Sequence, residues 1–410
     1  TLDIPEELMG ETMRQVITHE IGHALGLQHN MIASSSFPVD SLRSVAFVNK
    51  YGVSATIMDY ARQNYVAQPG DGLKPKDYIR RLGPFDDFAI NWAYRVIPAR
   101  TANDERATLN RWLTQQSGPM PYRYVPQGLG SIDPRSQTED LGDDPVKATN
   151  YALTNMKKVV PQLVAWTTKP GEDYSDLEEI YGETLGMWST YMGHVTTVVG
   201  GVTVDLKSSE QGANVYRVVP KARQKAALAF LSANVFTTPT WLEPNDIASR
   251  IGPSTLSNRQ ANVLTSLLST ARLGRLADAE ELDAANAYPL TEFLNDIKSN
   301  VWNGTAPDGN RRTLQRVYLE RLAAIINPPA APAAPAGPGA GGGGGAPTTP
   351  PPFVGAPNVP RSDLPALARA QLRQIREDAR QNATTTTGVQ KAHWQDVVDR
   401  VDEALEARKK

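Results

Sequence analysis

Apolar residues recur at three- and four-residue steps along most of this chain, a spacing that predicts a largely helical protein. The first such run is residues 5–26. Pro5 suits an opening turn, Glu6 and Glu7 favour the positive end of a helix dipole, and Met9, Met13, Val16, Ile17, Glu20 and Ala24 fall on one face, read as the inward one. Residues 31–57 keep no period and read as irregular, with a short strand at 44–48. Residues 84–97 place Phe85, Phe88, Ala89, Trp92 and Ala93 on one side of a helix, with Asp86 and Asp87 as favourable charges at its start. From 98 to 327 the pattern is mostly helical. Asp144 before Pro145 is an N-cap followed by a first-turn proline, and 220–236 is amphipathic, with Trp241 as a packing residue after it. The clearest β signal is 193–207. Two runs rich in β-branched residues flank Gly200-Gly201, read as a two-residue hairpin turn, with 214–219 as a third strand and His194 as a structural residue at the hairpin's base.

The character changes after Asn327. The Pro/Ala/Gly-rich stretch up to Pro360 has no apolar face and reads as a disordered linker, with a typical span of about 30 Å. Two helices follow, 364–382 and 388–408, striped by Ala366, Leu367, Ala370, Leu372 and Ile375 and by Trp394, Val397, Val398, Val401 and Leu405. They are expected to pair and dock back on the helical region, with His393 structural; a tethered hairpin offered to a partner is the alternative. The expected layout is 1–97, 98–327 with a β-hairpin near 193–219, linker 328–360 and helical hairpin 361–410.

Charge and composition narrow the function. The 42 basic and 44 acidic residues nearly cancel and no basic block stands out, so nucleic acid is not an expected partner. No apolar run approaches the ~20 residues of a membrane span. There is no cysteine, which excludes disulfides and thiolate metal ligands. The acidic group Glu139, Asp140, Asp143 and Asp144 lacks the regular spacing of a calcium loop.

Three of the five histidines lie in "THEIGHALGLQHN", residues 18–30. His19 and His23 are four apart and share one helix face, so their imidazoles can grip one zinc ion. Glu20 lies on the same turn, placed to act on a water at the metal rather than to ligate it. His29 would point elsewhere on a continuing helix, but Gly26 tolerates the left-handed backbone that ends one and can swing His29 back as a third ligand. Three protein ligands with one open position make a catalytic zinc arrangement rather than a structural one. Further on, "SATIMDYARQNY", residues 54–65, holds Met58 and, two residues later, Tyr60.

The extended histidine motif followed by a methionine turn resembles the metzincin zinc endopeptidases. The resemblance implies that Met58 forms an apolar floor beneath the histidines, and that Tyr60 reaches the zinc or the transition-state oxyanion. Asn30, "IMDY", "LGPFDDFAINWAYR" (82–95), "DPRSQTEDLGDD" (133–144) and "NYALTNMKKVV" (150–160) narrow it to the large bacterial Met-zincin metalloproteases, over residues 1 to about 327. The fold class expected is mainly α: the zinc-helix and Met-turn half of a metzincin catalytic domain, then a helical domain with a small β-hairpin. The function expected is zinc-dependent hydrolysis of protein or peptide substrates, with Glu20 as general base, His19, His23 and His29 as ligands, and Gly26 and Met58 in support. A catalytically idle scaffold used in binding or assembly is the alternative. The resemblance also implies a secreted or cell-envelope protein. Only eighteen residues precede His19, so the sequence reads as a fragment lacking an N-terminal subdomain and with it half of the cleft, which leaves open whether the fragment alone is active. Helix 5–26 should then carry an exposed apolar flank.

Overall fold

The computed structural model describes residues 4–116, 120–212, 214–304, 306–328 and 363–406. Of the expected linker 328–360, residues 329–360 lie outside the described residues. Contacts gather the described residues into two compact units, one within 1–231 and 239–256, the other within 232–238 and 257–410.

The first unit opens with α1 (Glu6–Ala24). Its end is built by Gly26 at φ 84: Leu27 N–H donates to Gly22 O (3.0 Å) and Gly26 N–H to His23 O (2.9 Å), the paired bonds of a glycine-terminated helix. The stripe of α1 read as inward is not the buried one. Gln15, His19 and Gly22 are buried, whereas Met9, Met13, Val16, Ile17 and Ile21 are each more than half exposed. The helix faces its core with its chemistry-bearing side, and no described residue covers the apolar flank.

The stretch after His29 is compact rather than strand-like. Two short 3-10 turns (Ala33–Ser36 and Val39–Arg43) lead into α2 (Val45–Tyr51). The expected strand at 44–48 is thus helical, because the Ser44 hydroxyl accepts from Phe47 N–H and caps the turn. Phe37, Leu42, Val48, Val53 and Ala55 form a core with Phe85 of α3 (Pro84–Tyr94). After α4 (Ala102–Gln116), α5 (Pro145–Val159) starts as read, with Asp144 accepting from Val146 and Lys147 N–H. Then come α6 (Leu163–Thr167) and α7 (Ser175–Val198).

The expected hairpin over 193–207 is corrected here. Residues 193–198 are the last turns of α7, and Gly200-Gly201 is its exit. The Thr196 and Thr197 hydroxyls donate to the carbonyls of Met192 and Gly193, so these residues sit in a helix without orphaned polar atoms. Trp188, Met192, Val195 and Val199 are buried at helical steps, and that burial overrides local β propensity. The strands present are β1 (Val202–Val204) and β2 (Tyr216–Val218), antiparallel, with Val202 opposite Val218. Buried Asp133 accepts from Val204 N–H and pairs with Arg135, tying the sheet to the 129–137 turns. Helices α8 (Lys221–Leu231) and α9 (Asn245–Ile251) complete this unit. The Trp241 ring lies under the Lys157 ammonium.

The second unit contains α10 (Leu256–Leu267), α11 (Thr270–Leu282), α12 (Leu290–Val301), α13 (Gly309–Ile326), α14 (Leu364–Thr385) and α15 (Gly388–Glu406). The last two pair and dock on α13: Tyr318 Oη donates to Gln371 Oε1 (2.7 Å), and Arg316 Nε to Asp396 (3.0 Å). The buried stripe of α14 is Leu364, Ala368, Leu372 and Ile375, while Ala366 and Ala370 face out. Among the described residues no helix is long and apolar enough to cross a membrane.

Two histidines outside the triad are structural. His194 on α7 is buried and donates through Nε2 to Thr138 O (2.8 Å); His393 on α15 is buried with Nε2 at 2.7 Å from Gln315 Oε1. Burial pushes each imidazole down to about 4. The unfolded chain titrates them near 6.5, so it binds more protons between pH 6.5 and 4, and their stabilising contribution is lost as pH falls through that window. Urea midpoints of His194→Gln and His393→Gln, which keep an N–H donor at each place, are expected to fall less steeply from pH 7 to 4.5 than those of the parent. Parallel pH profiles would contradict this assignment.

Candidate metal centre

Helix α1 supplies His19 and His23, and the Gly26 turn returns the chain so that His29 faces them. His29 Nε2 lies 3.3 Å from His19 Nε2 and 3.1 Å from His23 Nε2. All three ligand atoms fall within 4.8 Å of one another, and this is the one such His/Cys/Asp/Glu group among the described residues. A tetrahedral zinc with bonds of ~2.1 Å needs ligand nitrogens about 3.4 Å apart. The outer nitrogens are engaged as well. His19 Nδ1 donates to Ile57 O (2.8 Å) and His23 Nδ1 to Leu27 O (2.9 Å), while His29 Nδ1 faces Gln127 Oε1 (3.1 Å). Carbonyls only accept, so these bonds fix the tautomer that leaves Nε2 bare toward the common point. Burial holds the His19 imidazole below its ordinary value, a shift toward the neutral form that ligates. The residues therefore fit a metal ion.

Met58 is fully buried under this group. A Cβ placed on Gly22 would come within 2.3 Å of Met58 Sδ, so glycine at 22 is what lets the helix rest on the methionine. Tyr60 is 36% exposed, its ring 4.3 Å from that of His29 and 5.5 Å from that of His19; its hydroxyl has no hydrogen-bond partner among the described residues. Glu20 is exposed on α1 and likewise makes no hydrogen bond or ion pair there. The acidic group at 139–144 is dispersed rather than gathered around a cation. Glu139 pairs with Arg62, Asp140 accepts from the Ser34 hydroxyl, Asp143 accepts from Val39 N–H, and Asp144 caps α5.

Several residues that hold the centre gave no sign of it in the sequence. Asp86, read as a helix-start charge, does accept from Gly83 N–H (2.8 Å). It also accepts from Ile57 N–H (2.9 Å) and from the Thr56 hydroxyl, and so clamps the Met-turn. Asn30 is fully buried. Its N–H donates to Met58 O (3.2 Å), and its side chain bridges Arg123 O and Val125 N–H. Asp59 lies buried beside Asp140, both sharing Ser34 as donor, and burial pushes Asp59 up to about 7. A groove of about 510 Å³ lined by Tyr65, Tyr78, Met156 and Tyr191 includes none of the triad.

Comparison with curated proteins and with solved structures returned no match. A family model does match. It is the one for Met-zincin, and its match runs through the histidine triad, the Met-turn, the Asp86 clamp and the 129–144 turns that anchor the small sheet, covering residues 1–309 of the 410. By that match this chain belongs to the Met-zincin family.

Proposed function

We propose that the chain carries the catalytic centre of a zinc-dependent endopeptidase. The observation that carries this reading is the convergence of three bare imidazole nitrogens, with an unpaired phenol against the His29 ring and the exposed Glu20 next to His19 in the chain. His19, His23 and His29 would hold zinc, which when bound supplies Lewis-acid polarisation and an acidified water. Glu20 takes a proton from the attacking water and passes it to the leaving amine as the amide bond breaks. Tyr60, stacked on the His19 ring and tilted against that of His29 with its hydroxyl free, donates to the oxyanion of the tetrahedral species. Met58 gives the ligands an apolar floor, and Gly26 sets the turn that brings His29 in. Cleavage passes through no covalent enzyme intermediate.

Casein digestion by the zinc-loaded protein tests this. Cleavage is expected, lost on treatment with a chelator and restored by added zinc. An idle scaffold would bind zinc and digest nothing.

A further inference from the structure

The three imidazoles differ in what steadies them. His19 and His23 rest on the carbonyls of Ile57 and Leu27, whereas His29 Nδ1 meets a side chain 98 residues downstream, Gln127 Oε1 at 3.1 Å. We propose that Gln127 is a positioning residue of the metal centre: its amide oxygen accepts the Nδ1 proton of His29, which fixes the ring plane and leaves Nε2 as the donor. The inference rests on the metal-centre reading above.

The placement of Gln127 is built rather than incidental. Asn30, the neighbour of His29, binds the segment that carries Gln127 at two points, Arg123 O (2.8 Å) and Val125 N–H (3.0 Å). Met31 N–H adds a backbone bond to Val125 O (2.9 Å), and Tyr124 Oη donates to Gln28 Oε1 (3.2 Å). Residues 28, 30 and 31 thus latch 123–125, with His29 between them and Gln127 two residues on. Gly128, at φ 109, then turns the chain away. Through its own N–H, Asn30 also holds Met58 O (3.2 Å). Ligand loop, Met-turn and the 123–127 segment are therefore registered on one buried residue, Asn30, and the far end of that register is the hydrogen bond to His29.

An amide suits this role. It presents an oxygen to an N–H without adding a negative charge to the centre. Lacking the acceptor, neutral His29 also samples the tautomer protonated at Nε2, which must be surrendered before a metal binds. Outer-shell partners of this kind are worth ~10–100-fold in metal affinity. Gln127 is exposed, so water competes for the bond and the expected effect is about tenfold.

The test is zinc titration against a chromophoric chelator for the parent, Gln127→Met and Gln127→Glu, with long-range 1H–15N imidazole spectra of the metal-free proteins. Gln127→Met keeps the length and removes the acceptor. It is expected to weaken zinc about tenfold and to move the His29 proton toward Nε2; Gln127→Glu is expected to restore both. Parent-like affinity and an unchanged His29 tautomer in Gln127→Met, with zinc bound tightly, would overturn the role of Gln127 alone. A parent protein that binds no zinc would overturn the metal centre, and this inference with it.

Discussion

Asp86→Ala is expected to destabilise the first unit by at least about 3 kcal/mol, since three donors are left without an acceptor, at ~1–3 kcal/mol for each one buried. Asp86 is 3% exposed, and Ile57 N–H, Gly83 N–H and the Thr56 hydroxyl all point to it. The Thr56 oxygen in turn accepts from Met58 N–H (3.0 Å), so the loss spreads along the Met-turn. Thermal denaturation should show a drop on the order of 10 °C. Zinc affinity should fall with it, because Ile57, whose N–H Asp86 holds, is also the residue whose carbonyl orients His19. Asp86→Asn, which keeps an acceptor, should land between the two. A melting temperature within ~2 °C of the parent for Asp86→Ala would mean that the Met-turn holds its shape without the clamp.

Glu20→Gln is expected to do the opposite: large in rate, small in stability. A general base contributes ~10²–10⁴-fold, and glutamine cannot take the proton. Glu20 is exposed and unpaired among the described residues, so its replacement should shift stability by no more than about 0.5 kcal/mol. Zinc content should stay at the parent level. Steady-state cleavage of a fluorogenic peptide, read beside the metal content of the same preparations, separates loss of the base from loss of the ion. Parent-like kcat in Glu20→Gln would remove Glu20 from the mechanism.

What the sequence reveals here depends on how far apart the interacting residues are. The triad is local: helix geometry aligns His19 with His23, and one glycine turn brings in His29, so the spacing alone suffices. The supports of that triad are distant. Asp86 reaches back 29 residues to Ile57, Asn30 forward 95 to Val125, and His29 forward 98 to Gln127. No periodicity signals such pairings, and an aspartate at a helix start has an adequate local explanation that hides its second task. The misread elements fail for a related reason. Residues 193–198 have the composition of a strand, yet they continue a helix whose Trp188, Met192 and Val195 are already buried. On α1 the apolar stripe is the stronger pattern, but the buried side is the one that carries Gln15 and His19 and lets Gly22 fit over Met58. Signals that act within a few residues are legible: the Asp144 cap and the positive φ of Gly26 lie where local sequence places them.

The most direct test of the account is the zinc content of the purified, zinc-equilibrated protein beside His29→Ala. One zinc per chain in the parent and a large loss in His29→Ala is the predicted result. Stoichiometric zinc retained without His29, or none in the parent, would contradict a centre built on His19, His23 and His29.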